Sequence, residues 1–166
     1  MASIVLVLDG LRSTHNVGSI LRTADGFGVS RIYLCGITPY PTNSEDKRLP
    51  HLSEKITKQI SKTALGAELN LNIHYHKHIL EVIEKLKIEG YSIVALEQSR
   101  KSVKLIDFLP GAKTALVVGN EVNGVDSQVL SLANKIVEIP MIGRKESFNV
   151  AVSTAIALYD LIQKTK

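Results

Sequence analysis

Hydrophobic positions along the chain fall into short continuous runs, separated by segments with helical spacing. The apolar runs lie at residues 4–8, 31–34, 93–96, 115–118 and 136–139, with a less continuous one at 71–75, and most are rich in β-branched side chains. Runs without alternation are typical of strands that are covered on both faces, as in parallel sheets. The pattern therefore predicts an α/β fold with a mostly parallel sheet flanked by helices.

Apolar side chains at three- and four-residue spacing predict the helices between these strands. The first begins after Asn16, whose side chain is suited to an N-cap, and continues to about Gly26. Two more are predicted over about 52–62 and 79–89. The segment 35–50 contains three prolines, so we expect an irregular loop there.

The last predicted helix, from Asn149 to Ile162, is apolar on almost every side. A helix of this kind must be buried all round. Small residues between the large ones would allow another backbone to approach closely. We therefore expect a homodimer in which a second copy covers part of this helix.

Composition indicates one folded domain over residues 1–166. Hydrophobic residues make up 45% of the chain and charged residues 22%, which argues against disorder. No apolar stretch approaches the length of about 20 residues that a membrane helix needs, so we expect no membrane partner. The single cysteine, Cys35, allows no internal disulfide, and a cytoplasmic location is expected.

The charge balance is compatible with a phosphate-rich partner. The net charge is +4, an excess that also occurs in many proteins without such partners. There is no tryptophan and there are only three phenylalanines, so stacking surfaces for nucleic-acid bases are scarce. Any recognition of RNA should therefore rest on phosphate contacts.

Three segments carry the candidate chemistry, and each follows the end of a predicted strand. They span residues 9–24, 116–125 and 139–150. Taken singly, each is also a plain connector between a strand and a helix. A helix N-terminus with nearby arginines suits phosphate, and a carboxylate such as Glu121 at a strand end lies where α/β folds bind ligands. The segments are candidates for one shared site.

Together the segments resemble the SpoU (TrmH) family of RNA 2′-O-methyltransferases, which belongs to the SPOUT superfamily. The chain reads Asn-x-Gly-x-x-x-Arg at 16–22, Gly-Asn-Glu-x-x-Gly at 119–124 and Ile-Pro-Met-x-Gly-x-x-x-Ser-x-Asn-Val at 139–150. The motifs occur in the family's order and spacing. The resemblance runs from Ile4 to about Leu161 and includes residues 62–68.

The resemblance implies a C-terminal trefoil knot, formed by about residues 119–162, that holds S-adenosylmethionine. Carried onto this chain, the cofactor-binding positions are Leu96, Gly119, Ile139, Met141 and Phe148. The family usually has leucine at the position of Phe148, so the adenine pocket should be narrower here but still apolar. The family also works as a dimer through the knot region, in agreement with the apolar last helix.

The resemblance also implies transfer of a methyl group to a ribose 2′-hydroxyl of tRNA or rRNA, with tRNA favoured. The matching polar positions around the ribose are Arg22, Asn16, Glu121, Ser147 and Asn149. A guanidinium stays protonated near neutral pH. We therefore expect Arg22 to grip the adjacent phosphate and to stabilise negative charge on the ribose oxygen, rather than to act as a base.

Candidate RNA contacts are the basic residues near the three segments and the loop. They are Arg12, Lys47, Arg48, Lys55, Lys58, Arg144 and Lys145. His74, His76 and His78 alternate and would share a face on an extended strand, but no carboxylate or cysteine accompanies them at ligand spacing, so no metal is expected.

Three other functions remain open from the sequence. The first is a SPOUT methyltransferase that modifies an RNA base, and the second is a catalytically inactive RNA-binding homologue. The third is a regulator that binds a small nucleotide and has no affinity for RNA. The pairing of Asn16 with Arg22 and the Ser147-x-Asn149 motif favour ribose methylation.

Overall fold

A computed structural model describes residues 3–165 and shows one seven-stranded sheet in which every pairing is parallel. Its strands follow the order β3-β2-β1-β6-β4-β7-β5. They are β1 (Ser3–Asp9), β2 (Arg31–Cys35), β3 (Ile73–His76), β4 (Ser92–Leu96), β5 (Val103–Lys104), β6 (Lys113–Val118) and β7 (Lys135–Glu138). The predicted α/β class with a parallel sheet is confirmed.

Helices cover both faces of this sheet. They are α1 (Thr14–Gly26), α2 (Pro50–Ala64), α3 (Ile79–Ile88), α4 (Ser127–Leu132) and α5 (Val150–Gln163), with two short 3-10 helices at Ala67–Leu69 and Leu105–Asp107. Residues 36–49 form neither helix nor strand, as the prolines in this segment predict.

Alternation along the buried strands divides the core into two layers. Leu6 and Leu8 of β1 pack in the layer that contains α1, α2 and α5. Val5 and Val7 point the other way and pack with α3 and α4. Because successive side chains of a strand point to opposite faces, both sets must be apolar when helices cover both sides.

Helices α1 and α2 cross closely at Gly18. A Cβ at this position would overlap the Ile60 carbonyl oxygen and the Thr63 hydroxyl, and it would lie 3.0 Å from the Ala64 nitrogen. The Thr63 hydroxyl also donates to the His15 carbonyl at 2.9 Å. This contact fixes the start of α1 against the end of α2.

The prediction of Asn16 as the N-cap of α1 is wrong. The helix begins three residues earlier than expected, and the Ser13 hydroxyl caps it by accepting from the Asn16 amide. Asn16 therefore lies inside the first turn of the helix, where its side chain is free to make other contacts. The short elements β5 and α4 were not predicted, because they have too few residues to show a period.

The single chain buries α5 on one side only, and the prediction that a second copy covers the rest stays a prediction. Leu158 and Leu161 are buried in the core, but Val152 is 48% and Tyr159 57% exposed. The exposed apolar side chains lie on one face of the helix. The knot stays a prediction. Within residues 3–165, no helix has both the length and the apolar character needed to cross a membrane.

Candidate active site

The candidate site lies where the sheet changes the direction of its connections. From β1 the chain moves to β2 on one side, whereas from β6 it moves to β7 on the other. In parallel α/β sheets, ligands bind in the crevice outside the carboxyl ends of strands at such a point. The loops that follow β1 and β6 are the first two motif segments.

Glu121 joins these two loops. Its carboxylate accepts hydrogen bonds from the Arg12 amide at 3.1 Å, the Ser13 amide at 3.4 Å and the Asn16 side-chain amide at 3.1 Å. The Arg12 and Ser13 amides lie immediately before the N-terminus of α1, and Asn16 lies in its first turn. An anionic side chain is therefore stabilised there.

The same interactions set the protonation of Glu121. Burial raises the pKa of its carboxyl, but the hydrogen bonds from its own backbone, from Asn16 and from the Arg12 and Ser13 amides lower it more. The pKa therefore lies below its ordinary value, and the side chain is an anion throughout the neutral range.

Asn149 brings in the third motif segment. Its side-chain amide donates to the Asn16 side-chain oxygen at 3.2 Å, and its own oxygen caps α5 by accepting from the Ala151 amide at 2.9 Å. Glu121, Asn16 and Asn149 thus form one polar network, which we call the Glu121 network. Its members come from three distant parts of the chain.

A cleft of about 490 Å³ opens beside the Glu121 network. A smaller lobe of about 100 Å³ continues from it. The two share one wall, formed by Leu96, Glu97, Ser147, Phe148 and Ser153. The cleft is thus partly apolar, and polar side chains of the second and third motif segments line it.

The predicted cofactor-binding residues mostly line this cleft. Gly119 lines the larger part, Ile139 the smaller lobe, and Leu96 and Phe148 both. Met141 is half-buried and, in the part of the chain that the structure describes, lines neither. The Gln98 side chain donates to the Glu146 carbonyl at 2.7 Å and so holds the 143–149 loop beside the cleft.

Arg22 lies apart from the Glu121 network. It is exposed and lines a separate groove of about 700 Å³ between α1, α2 and α5, together with Lys62, Phe27 and Ala155. Six helical residues separate it from Asn16, a rotation of about 240° around α1. Among residues 3–165, no hydrogen bond or ion pair joins Arg22 to the network.

Most of the predicted RNA contacts are exposed. This holds for Arg12, Lys47, Lys55, Lys58, Arg144 and Lys145. Arg48 is different because it is tied into the 36–49 loop. Its guanidinium pairs with Asp46 at 2.6 Å, donates to the Tyr40 carbonyl at 3.1 Å and lies 3.6 Å from the centre of the Tyr40 ring.

Glu97 is the residue at this site that the sequence reasoning missed. It directly follows β4, lines both parts of the cleft and accepts from the Val125 amide at 2.8 Å. A carboxylate at a strand end was the signal that singled out Glu121. The same signal, applied to β4, would have found Glu97.

A parallel sheet with a cleft at the carboxyl ends of β4 and β6, lined by two of the three motif segments, is typical of α/β proteins that bind a nucleotide or another cofactor. The profile of the SpoU rRNA Methylase family matches residues 3–159, and the chain belongs to this family.

Similar proteins carry related names. A tRNA (guanosine(18)-2'-O)-methyltransferase of Borreliella burgdorferi is 29% identical over 98% of this chain and 67% of its own length. One of Aquifex aeolicus with the same name is 32% identical over 95% of this chain and 67% of its own. The chain spans 59–67% of the length of the curated relatives it matches.

Solved structures show the same fold. An AdoMet-bound rRNA methyltransferase from Sinorhizobium meliloti superposes with a TM-score of 0.79 at 25% identity, covering 95% of this chain and 55% of that one. The TrmH/SpoU tRNA modifying enzyme of Aquifex aeolicus gives 0.74 at 27% identity, covering 99% and 76%.

Proposed function

We propose that this protein is an S-adenosylmethionine-dependent methyltransferase that modifies a ribose 2′-hydroxyl of RNA, with tRNA favoured over rRNA as the substrate. The observation that carries the proposal is the Glu121 network beside the 490 Å³ cleft. The named activity of the relatives from Borreliella burgdorferi and Aquifex aeolicus supports the same reaction and the same class of RNA.

The cleft fits the cofactor in size and in character. Its volume lies within the range of small-molecule sites, about 300–1,000 Å³. Leu96 and Phe148 offer an apolar wall, and Gly119 lines the same cleft. These residues and Ile139 would hold S-adenosylmethionine, with Met141 as a further predicted contact. When bound, the cofactor supplies a methyl group on a positively charged sulfur.

In this proposal, the Glu121 network orients the ribose and does not transfer protons. Because Glu121 is an anion that accepts three hydrogen bonds, it fixes the Asn16 amide and, through it, Asn149. The open side of these amides can hold ribose hydroxyls, and Ser147 lies on the same wall of the cleft. Orientation of this kind contributes to displacement reactions because it removes the entropic cost of alignment.

Arg22 supplies the positive charge in this proposal. Because it lies apart from the Glu121 network of its own chain, in a homodimer it would grip an RNA phosphate and stabilise negative charge on a ribose oxygen held by the network of the second copy. Arg12, Lys47, Arg144 and Lys145 are exposed and would contact the RNA backbone. Arg48 is already paired with Asp46, so its share in RNA binding should be smaller.

A homodimer would bring Arg22 close to a second copy of the chain. The exposed face of α5 carries Val152, Ile156 and Tyr159. The Phe27 ring lies 6.2 Å from the Tyr159 ring and also lines the Arg22 groove. A partner that covers this face would therefore approach the groove, and the groove would become part of the interface. We place the protein in the cytoplasm, since its cysteine is buried and unpaired.

The test is transfer of labelled methyl from S-adenosylmethionine to unmodified tRNA and rRNA, followed by nucleoside mass spectrometry. A 2′-O-methylnucleoside is expected, mainly in the tRNA fraction. Arg22→Ala should lower kcat/KM by about 100-fold or more, as the loss of one charge-stabilising donor does in other enzymes. Lys87→Ala is the matched control, since Lys87 is an exposed cation on α3 at the opposite face of the sheet.

Each alternative gives a different result in the same assay. A base-methylated nucleoside would replace the ribose assignment with base methylation. If the protein binds the cofactor but gives no product, the proposal is contradicted. If it binds RNA in a salt-sensitive way but does not bind the cofactor, the proposal is also contradicted, and the protein is an RNA-binding homologue. Cofactor binding with no affinity for RNA would indicate a small-nucleotide regulator.

A further inference from the structure

The turn at residues 119–125 is held by a hydrogen bond at each of its ends. At its entry, the Asn120 side chain donates to the Gly10 carbonyl at 2.6 Å. At its exit, the Val125 amide donates to Glu97 Oε2 at 2.8 Å. Glu121 lies between these two hydrogen-bonded positions. The Asn120 contact lies inside the motif segments, whereas Glu97 lies outside all of them.

We propose that Glu97 is a positioning residue that holds this turn and, through it, shapes both the cofactor cleft and the placement of the Glu121 carboxylate. The inference rests on the proposed function, because it assigns Glu97 to the cleft in which the cofactor would bind. Nothing in the three motifs points to this residue.

The packing around Glu97 leaves the turn little freedom. Gly124 has a φ of +69°, and a Cβ there would overlap the Glu97 carboxylate. A Cβ on Gly119 would in turn overlap the Gly124 backbone. The Glu97 carboxylate therefore packs against Gly124, and Gly124 packs against Gly119, so the carboxylate supports the backbone that forms the wall of the cleft.

The Glu97 carboxylate is itself fixed. Its Oε1 accepts from the Gln98 amide at 2.8 Å, and the Glu97 backbone amide donates to the Val137 carbonyl at 2.9 Å. Both carboxylate oxygens thus face backbone N–H groups. A glutamine has nearly the same size but only one acceptor oxygen and no charge, so Glu97→Gln loses one of the two hydrogen bonds and weakens the one that remains, which loosens the turn at Val125.

Glu138 provides a matched control. It ends the neighbouring strand β7, lines the smaller lobe of the cleft and is engaged by the Ser102 hydroxyl at 2.5 Å. In residues 3–165 it makes no hydrogen bond to the turn. Glu138→Gln therefore removes a carboxylate from the smaller lobe beside Glu97 without changing the hydrogen bond to Val125.

The experiment measures two quantities on the full chain. Amide hydrogen exchange of Val125 is followed without any ligand, and the dissociation constants of S-adenosylmethionine and S-adenosylhomocysteine are measured by calorimetry. Glu97→Gln should speed Val125 exchange at least tenfold and weaken both ligands by about tenfold or more. The affinities for both ligands should fall together, because a moved wall affects the positively charged sulfur of S-adenosylmethionine and the neutral sulfur of S-adenosylhomocysteine alike.

Three outcomes would overturn the proposal. They are unchanged Val125 exchange in Glu97→Gln, a loss of affinity for S-adenosylmethionine alone, and an equal loss in Glu138→Gln. The second would indicate direct recognition of the sulfonium charge, and the third a general effect of charge on the wall. If the wild-type protein binds neither ligand, the proposed function fails. The exchange measurement, which needs no ligand, still tests whether Glu97 holds the turn.

Glu97→Asp keeps the proposal testable if the glutamine variant does not fold. Aspartate keeps the charge but is one carbon shorter, so its carboxylate cannot reach both the Val125 and the Gln98 amide. Faster Val125 exchange is expected here too, with a thermal unfolding transition retained. Wild-type exchange in Glu97→Asp would contradict the assignment.

Discussion

The bond between Asn16 and Glu121 should be measurable as a coupling energy. Asn16→Ala removes the amide that donates to Glu121 at 3.1 Å and the oxygen that accepts from Asn149 at 3.2 Å. Exposed hydrogen bonds and ion pairs contribute about 0.2–1 kcal/mol each, and more when one partner is charged. Alanine favours a helix over asparagine by up to about 0.7 kcal/mol, which offsets part of the loss.

These magnitudes give a net loss of about 1 kcal/mol for Asn16→Ala. For a chain of this length, that corresponds to a melting temperature lower by about 2–4 °C. The coupling itself is obtained from a double-mutant cycle of Asn16→Ala with Glu121→Ala, measured by urea unfolding at pH 7. We expect about 1 kcal/mol of coupling between the two residues.

The cycle has an internal control and a pH dependence. Glu89 pairs with Arg31 at the amino ends of the strands, away from the Glu121 network. The changes in unfolding free energy of Asn16→Ala and Glu89→Ala should therefore be additive. Because the pKa of Glu121 is lowered by folding, its stabilisation is present above its unfolded pKa and is lost as pH falls through the lower folded value. Zero coupling at pH 7, or coupling that persists fully when the carboxyl is protonated, would refute the reasoning.

Three further predictions follow from packing and burial. Gly18→Ala should destabilise the fold by about 1–3 kcal/mol in urea unfolding, because the added methyl overlaps the Ile60 carbonyl; unchanged stability would mean that α1 and α2 are not in close contact. Burial and then Asp126 raise the pKa of Asp9, so its ionised form is disfavoured in the fold. Asp9→Asn should therefore raise the melting temperature at pH 7 and give no gain near pH 3, and equal effects at both pH values would contradict this. Burial and then Asp9 raise the pKa of Cys35 to about 12, so a disulfide reagent should modify it at pH 8 only on unfolding; rapid reaction of the native protein would be the contrary result.

The sheet was predictable because its strands are buried on both faces. Continuous apolar runs such as residues 4–8 and 115–118 have no other common explanation in a chain with helical segments between them. The strand order was not predictable, since neighbours in the sheet are set by packing of the whole chain. The two-residue strand β5 has an exposed sequence that carries no hydrophobic signal.

The site was predictable as far as its segments, and less so in its geometry. Motif spacing brought Asn16, Glu121 and Asn149 into consideration, and the structure joins them in one network. The same reasoning grouped Arg22 with them, but the helical rotation between positions 16 and 22 places it in another groove. The cap of α1 was misassigned because serine and asparagine are both good N-caps, and only the fold decides between Ser13 and Asn16.

The Glu121 network also makes the site a late product of folding. Its hydrogen bonds join residues 105 and 133 positions apart, so they form only after the N-terminal helix, the centre of the sheet and the start of α5 have met. The bond to Asn149 spans more of the chain than the pairing of β1 with β6, whose partners are 110 positions apart, so it is expected to form after the central strands have paired. A chain that is still being synthesised can therefore contain a partly formed sheet but not the complete Glu121 network. Once the network exists, any ligand that binds it favours the finished chain over every partly folded one.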